Sequence, residues 1–328
     1  MKADLNEVHF IRAIASLSVC VFHLYGGNKN LFPADNTLKP LFAFGYLGVV
    51  LFFMLSGFII CYALSPLYRH ADFKQFMFKR LVRIEPPYLL SIFLVLALNS
   101  LSYQITRSSN TINWLDVMAH LAYLNNFGAG EYVNVVYWTL GIEFQFYIII
   151  GLIFPFMQNE NTLGLFLLLF IALSCLPVFK TMSTILPYLS IFGLGILTYY
   201  YKMRKTVSFK FFILFAVALL IQLFFYQGIP VFAACTFGML ILLYWDYNNR
   251  LIRFFSGISF SLYLTHVTIG GKIINLGLRY VETLTDRYLL FITALGISIA
   301  FAWIFYRIIE NPSILWSKKI KYKRVAIA

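Results

Sequence analysis

Val135-Val136-Tyr137-Trp138-Thr139-Leu140-Gly141-Ile142-Glu143-Phe144-Gln145-Phe146-Tyr147-Ile148-Ile149-Ile150 is an apolar and aromatic run with one carboxyl group inside it, that of Glu143. A run of this kind reads as buried in a membrane. An ionisable group at bilayer depth costs about 3 kcal/mol on insertion scales, and a chain retains one mainly where it faces a polar cavity or a partner. His23 and His266 stand in similar apolar runs. A carboxylate and two imidazoles within one bundle point to proton-transfer chemistry or to a proton path.

The rest of the chain agrees with that reading. Of its 328 residues, 61% are hydrophobic and 12% charged, which is more apolar surface than a soluble domain can cover. The 35 Phe and 22 Tyr suit a lipid-facing exterior with aromatic belts. The formal charge of +13 reads as basic loops against anionic lipid, with a few cations left to bind an anionic substrate; it does not point to nucleic acid. Cys20, Cys61, Cys175 and Cys235 fall in apolar runs at no metal or redox spacing and read as small packing residues. The first apolar stretch starts near Val8, carries Arg12, and reads as a retained span rather than a cleaved signal.

A membrane helix needs about 20 mostly apolar residues. Candidate spans fall near 8–26, 43–64, 84–101, 135–157, 162–179, 184–201, 209–227, 229–246, 255–275 and 288–309. The expected fold is an all-α membrane protein, a polytopic bundle of about ten transmembrane helices. It forms one domain over 1–328, with its core at 8–312 and no soluble domain. Residues 114–124 read as a short interfacial or re-entrant helix. Lys29, Lys39, Arg107, Lys180, Lys272, Arg279 and Arg287 fall on one side of this layout; the other Lys and Arg, including the cluster from Lys318 to Arg324, fall on the opposite side. The positive-inside rule then predicts both termini in the cytoplasm. No internal repeat is visible, which argues against a repeat-built transporter.

Arg12 and His23 share the first span, separated by eleven residues or about 16 Å of helix. One helix can therefore hold a cation near the inner face and an imidazole deep in the membrane. Arg80 and Arg83, one turn apart, share a face and with Lys79 could bind the phosphates of a cytosolic donor. Pro86 and Pro87 would shape the entry of the third span. In Phe52-Phe53-Met54-Leu55-Ser56-Gly57-Phe58, Ser56 can donate a hydrogen bond and Gly57 admits close approach of a backbone or a thin ligand. Tyr263 and His266 share a helix face. Glu310 reads as an interfacial ion-pair residue, and Trp138 as structural.

Taken in order, these pieces form a pattern. Arg12 followed by His23, Phe52-Phe53-x-x-Ser56-Gly57-Phe58, Lys79-Arg80-x-x-Arg83-Ile84-x-Pro86-x-Tyr88, Trp138-Thr139-Leu140-x-x-Glu143-x-x-Phe146-Tyr147, Ser259 to His266, and Tyr306-Arg307-x-x-Glu310-x-Pro312 together resemble the acyltransferase 3 family of membrane acyltransferases. The resemblance runs from about Val8 to Pro312, and the ten residues between Arg12 and His23 match the family's first-span motif. Thr139 stands where the family often has Ser, and Val267-Thr268 follows His266 where a proline is common.

The resemblance implies transfer of an acyl group, most often acetyl, from cytosolic acyl-CoA to a hydroxyl of an envelope carbohydrate or lipid-linked glycan. The setting it implies is a plasma membrane, the inner membrane of a bacterium. Acyl-CoA would be a substrate rather than a resident cofactor, and no metal is required. On this reading His23 is the general base, Glu143 orients it, and Arg12, Arg80 and Arg83 hold CoA phosphates. Ser56, Tyr263 or His266 would polarise the thioester carbonyl or hold the acceptor. The alternative is a proton-coupled transporter or flippase of a sugar-linked or anionic substrate, in which Glu143, His23 and His266 form the relay.

Overall fold

A computed structural model describes residues 4–33, 35–106, 113–176 and 183–322. Arg107, Lys180, Lys323 and Arg324, which entered the charge-bias argument, lie outside the described residues. Among the described residues there are helices and loops and no strand. The helices are α1 (Asn6–Gly26), the short α2 (Lys39–Ala43), α3 (Leu47–Ala63), α4 (Phe73–Thr106), the short α5 (Trp114–His120), α6 (Trp138–Ile153), α7 (Glu160–Ser174), α8 (Leu189–Tyr199), α9 (Phe209–Gln227), α10 (Ile229–Tyr244), α11 (Arg250–Gly277), α12 (Leu284–Phe305) and α13 (Asn311–Lys319). Among the described residues, six stretches are long and apolar enough to cross a membrane: α1, α2 with α3, α4, α6, α9, and α12 with α13. α7 and α10 are apolar but shorter. Each of the ten apolar segments overlaps a helix.

Local chemistry sets many of the helix ends. Asn159, Ser208 and Asn249 accept hydrogen bonds from the amides of Thr162, Phe211 and Ile252, capping α7, α9 and α11. Thr283 and Asp286 cap α12 reciprocally. α9 passes into α10 through Gly228, whose φ of +88° is open to glycine and strained for other residues, with Pro230 following in the first turn.

α4 departs from expectation. It runs unbroken for 34 residues, so Pro86 and Pro87 lie inside it rather than at its entry. Each proline lacks the amide that would reach back four residues, which frees the carbonyls of Val82 and Arg83 from the ladder. Tertiary packing has extended the helix through a local breaker, and Tyr88 just beyond it is fully buried.

α1 packs along α11, α11 along α12, and α3 along α8. The α3–α8 crossing is close because glycines face it from both sides. A Cβ on Gly57 would fall 2.2 Å from the Phe192 carbonyl oxygen, and one on Gly195 would fall 1.9 Å from that of Met54. Gly57 therefore admits a backbone, that of α8. Cys20, Cys61 and Cys235 are buried in the core. Phe93, Leu168, Leu214, Phe225 and Ile292 are exposed on the outside, the surface expected against lipid.

The two ends of the bundle are tied differently. At one end Lys202 donates to Glu7 (2.6 Å) and to the Leu242 carbonyl (2.7 Å), Arg204 to Gln158 (2.6 Å), and Lys79 to the Ile320 carbonyl (3.4 Å). At the other, Arg287 donates to the Asn30 carbonyl (3.0 Å), Asn28 to Asn275 (2.7 Å), and Asn126 to the Ser183 carbonyl (2.9 Å). The first end is the more basic one.

Candidate active site

A cavity of about 300 Å³ opens inside the bundle near its basic end. α1 contributes Arg12, α3 Ser56, α4 Arg80 and Arg83, α6 Glu143, and α11 Ser259 and Tyr263. The sequence motifs thus converge on one space although they lie far apart along the chain. Arg12 Nε donates to Ser259 Oγ (3.0 Å). The Arg80 guanidinium lies 5.5 Å from the Phe76 ring centre and 5.7 Å from that of Tyr147, and its Nε is buried without a hydrogen-bond partner. The ion pairs found among the described residues are Lys202–Glu7, Arg253–Asp4 and His9–Asp4, so none of the three cavity arginines is paired with a carboxylate. All three are half-buried, and a guanidinium is seldom left this way at that depth, because desolvated charge needs compensation. Three of them around one cavity make a site for an anion that can accept several charge-assisted hydrogen bonds.

Two carboxylates share the cavity. Glu143 accepts from Ser56 Oγ (2.9 Å) and from the Tyr147 hydroxyl. Tyr147 lies one turn beyond Glu143 on α6, and that spacing of four residues was the available signal for it. Glu310 departs from the interfacial position expected of it. It is 2% exposed, ends the wide π turn Tyr306–Glu310, and accepts from Ser261 N (3.1 Å) and Oγ (2.6 Å) while lining the cavity. Trp138 lies outside this space, packed against Phe53 and Tyr188, and its carbonyl accepts from Asn126 (3.0 Å).

His23 lines a second cavity, of about 290 Å³, toward the opposite end. Asn99, Asn134, Thr268, Lys272 and Asn275 share it, with Asn134 donating to Thr268 (3.2 Å). Side-chain amides, a hydroxyl and one ammonium are suited to a ligand rich in hydroxyls. Asn134 did not stand out in the sequence, since a single polar residue in a loop carries no pattern, and Thr268, inside α11, stood out only as a departure from the family pattern. The hydrogen bonds of His23 run to the Val19 carbonyl (3.1 Å) and to His266 Nε2 (3.0 Å), and those of Glu143 run elsewhere. The structure therefore does not join Glu143 to His23; it gives His23 a second imidazole as its partner. His266 is fully buried on α11, between Tyr263 of the inner cavity and Thr268 of the outer one. Tyr263 donates to the Val136 carbonyl (3.1 Å) and stands 2.7 Å from Thr139 Oγ1, so these two side chains lie where the inner cavity ends.

His120, the last residue of α5, is also buried. Its Nε2 accepts from Val133 N (3.1 Å), which leaves Nδ1 to donate to the Tyr88 hydroxyl (2.8 Å). Both contacts suit a neutral ring, and burial pushes its pKa down to about 4.

Apolar helices around a charged internal cavity define an integral membrane protein with a polar site at its centre. The acyltransferase domain model of the acyltransferase 3 family matches residues 5–307, and the chain belongs to that family. It is 31% identical over 159 residues to YrhL of Bacillus subtilis (strain 168), assigned as a peptidoglycan O-acetyltransferase; the match covers 42% of this chain and 22% of YrhL. It is 27% identical over 227 residues to ORF330 of Acidianus two-tailed virus, assigned as an acetyltransferase, with 62% of each chain covered. It is 28% identical over 163 residues to O-acetyltransferase OatA of Staphylococcus aureus (strain NCTC 8325 / PS 47), covering 46% of this chain and 24% of OatA. The chain thus spans about a quarter of YrhL and OatA and under two thirds of the viral protein. No solved structure matches it.

Proposed function

We propose that this protein is a membrane O-acetyltransferase that takes an acetyl group from acyl-CoA and places it on a hydroxyl of an envelope carbohydrate or lipid-linked glycan. The observation that carries the proposal is the inner cavity with Arg12, Arg80 and Arg83 unpaired and the Arg80 Nε left without a partner. CoA is a polyanion, and its phosphates are the class of ligand these groups suit. The basic end of the bundle would face the cytoplasm, with both termini there and ten helices crossing a bacterial inner membrane. The amide-lined cavity would receive the acceptor from the other side, in keeping with the peptidoglycan named for YrhL.

In the reaction His23 Nε2 takes the proton of the acceptor hydroxyl. The hydroxyl oxygen attacks the thioester carbonyl, the carbon–sulfur bond breaks, and the leaving thiolate takes the proton back from His23. General-base assistance of this kind contributes about 100- to 10,000-fold. Glu143 would act from the inner cavity by fixing Ser56 and Tyr147, whose ring lies beside the Arg80 guanidinium. Tyr263 would border the path of the thioester toward His23.

The test is mass spectrometry of envelope glycans from cells with and without the gene, together with thiol release by the purified protein in vesicles. An acetyl mass shift and free CoA are expected. Movement of an intact substrate without CoA release would instead fit a carrier and reject the proposal.

A further inference from the structure

Two histidines meet inside the membrane, and the surrounding carbonyls decide how their protons are arranged. His266 Nδ1 lies 2.7 Å from the carbonyl oxygen of Leu262. A carbonyl can only accept, so His266 Nδ1 must carry a hydrogen. In a neutral ring that leaves His266 Nε2 with a lone pair. His23 Nδ1 lies 3.0 Å from that nitrogen and 3.1 Å from the Val19 carbonyl, and both of these accept. The His23 hydrogen is therefore on Nδ1, and the lone pair of a neutral His23 is on Nε2. The opposite arrangement would set two lone pairs against each other at both carbonyls.

We infer that His266 is a positioning residue: as a neutral imidazole it accepts the Nδ1 hydrogen of His23 and, together with the Val19 carbonyl, holds the ring in the angle and tautomer that leave Nε2 free as a base in the outer cavity. The inference rests on the acyl-transfer reading for its consequence, but the tautomer can be tested without it. The chain runs from the Leu262 carbonyl through His266 to His23, and it needs no carboxylate. When His23 takes the acceptor's proton, both its nitrogens carry hydrogens. The charge is then stabilised by His266 Nε2 and the Val19 carbonyl, without rearrangement. This is the part that a carboxylate plays in a serine hydrolase, where losing the correct tautomer lowers turnover by about 10⁴-fold. His266 is fully buried, so it can act on the acceptor only through His23.

The test uses the full chain in detergent or vesicles, with ¹⁵N-labelled histidine. The five histidines are assigned by substitution. In the wild-type protein, His23 should show a protonated Nδ1 and an unprotonated Nε2. His266→Leu, which keeps the core filled, leaves the Nδ1 hydrogen to the Val19 carbonyl alone; it should shift the ¹⁵N resonance of His23 Nδ1 and lower kcat per folded molecule by about 100-fold or more, with little change in KM for acetyl-CoA. His266→Gln offers an amide oxygen to the same hydrogen and should recover at least tenfold over His266→Leu. Three results would each overturn the inference: a protonated Nε2 on wild-type His23, an unchanged His23 Nδ1 resonance in His266→Leu, or near wild-type kcat in that variant. A wild-type protein that shows the expected tautomer but releases no CoA would reject the acyl-transfer reading and leave the positioning role standing.

Discussion

Single side chains carry the chemistry, and their effects separate by cavity. Arg80→Ala and Arg83→Ala should each weaken CoA binding about ten- to a hundredfold by calorimetry, since a charge-assisted phosphate contact is worth about 1.5–3 kcal/mol. Unchanged affinity in both would leave these arginines as topology signals only. Ser56 and Tyr147 both donate to Oε1 of Glu143, so Glu143→Gln can keep both contacts on its amide oxygen but weakens each by losing the charge. It should raise KM for the donor more than it lowers kcat. A fall in kcat alone would return Glu143 to a role at His23. That role was expected from the sequence, whereas the structure sets Glu143 in the inner cavity and His23 in the outer one. Depth along a helix says nothing of rotation about its axis, and rotation decides the partners: α1 turns His23 toward α11. The residues of the inner cavity were legible one by one, as ionisable or small polar groups in apolar runs. Their convergence was legible only through the family pattern.

At the level of elements, two packing features can be broken one at a time. Gly195→Leu drives a side chain into the backbone of α3, where even a Cβ lies 1.9 Å from an oxygen. Overpacking of this kind costs about 1–3 kcal/mol or more, so the variant should show a lower melting temperature or a loss of folded protein. An unchanged melting temperature would mean that the α3–α8 crossing is looser than described. His120 ties α5 to α4, and its pKa falls from 6.5 to about 4 on folding. Because the unfolded segment binds the proton first, stability of this tie is full above pH 6.5 and falls as pH drops toward 4, by up to about 3 kcal/mol. Protection factors for amide hydrogen exchange in residues 114–134, taken against the intrinsic rate at each pH, should fall over that range, and His120→Gln should flatten the dependence. The element list itself was largely legible, because apolar runs of span length are a strong signal. The start of α4 was not: Pro86 and Pro87 suggested a boundary, whereas packing carries the helix through them from Phe73.

Across the whole molecule, the fold sets two cavities in line along α1, with Arg12 in one and His23 in the other. Eleven residues of helix put them about 16 Å apart, a gap that the extended arm of CoA can bridge while its phosphates stay with the arginines. The layout predicts a sided enzyme whose donor and acceptor never need to share an entrance. The most direct measurement is acetyl transfer from labelled acetyl-CoA to a glycan acceptor enclosed in vesicles that hold the protein in a known orientation. Label should reach the enclosed glycan, with free CoA outside, only when the basic end faces the donor, and His23→Ala should abolish it at equal protein level. Transfer that is independent of orientation, or that survives in His23→Ala, would contradict the account.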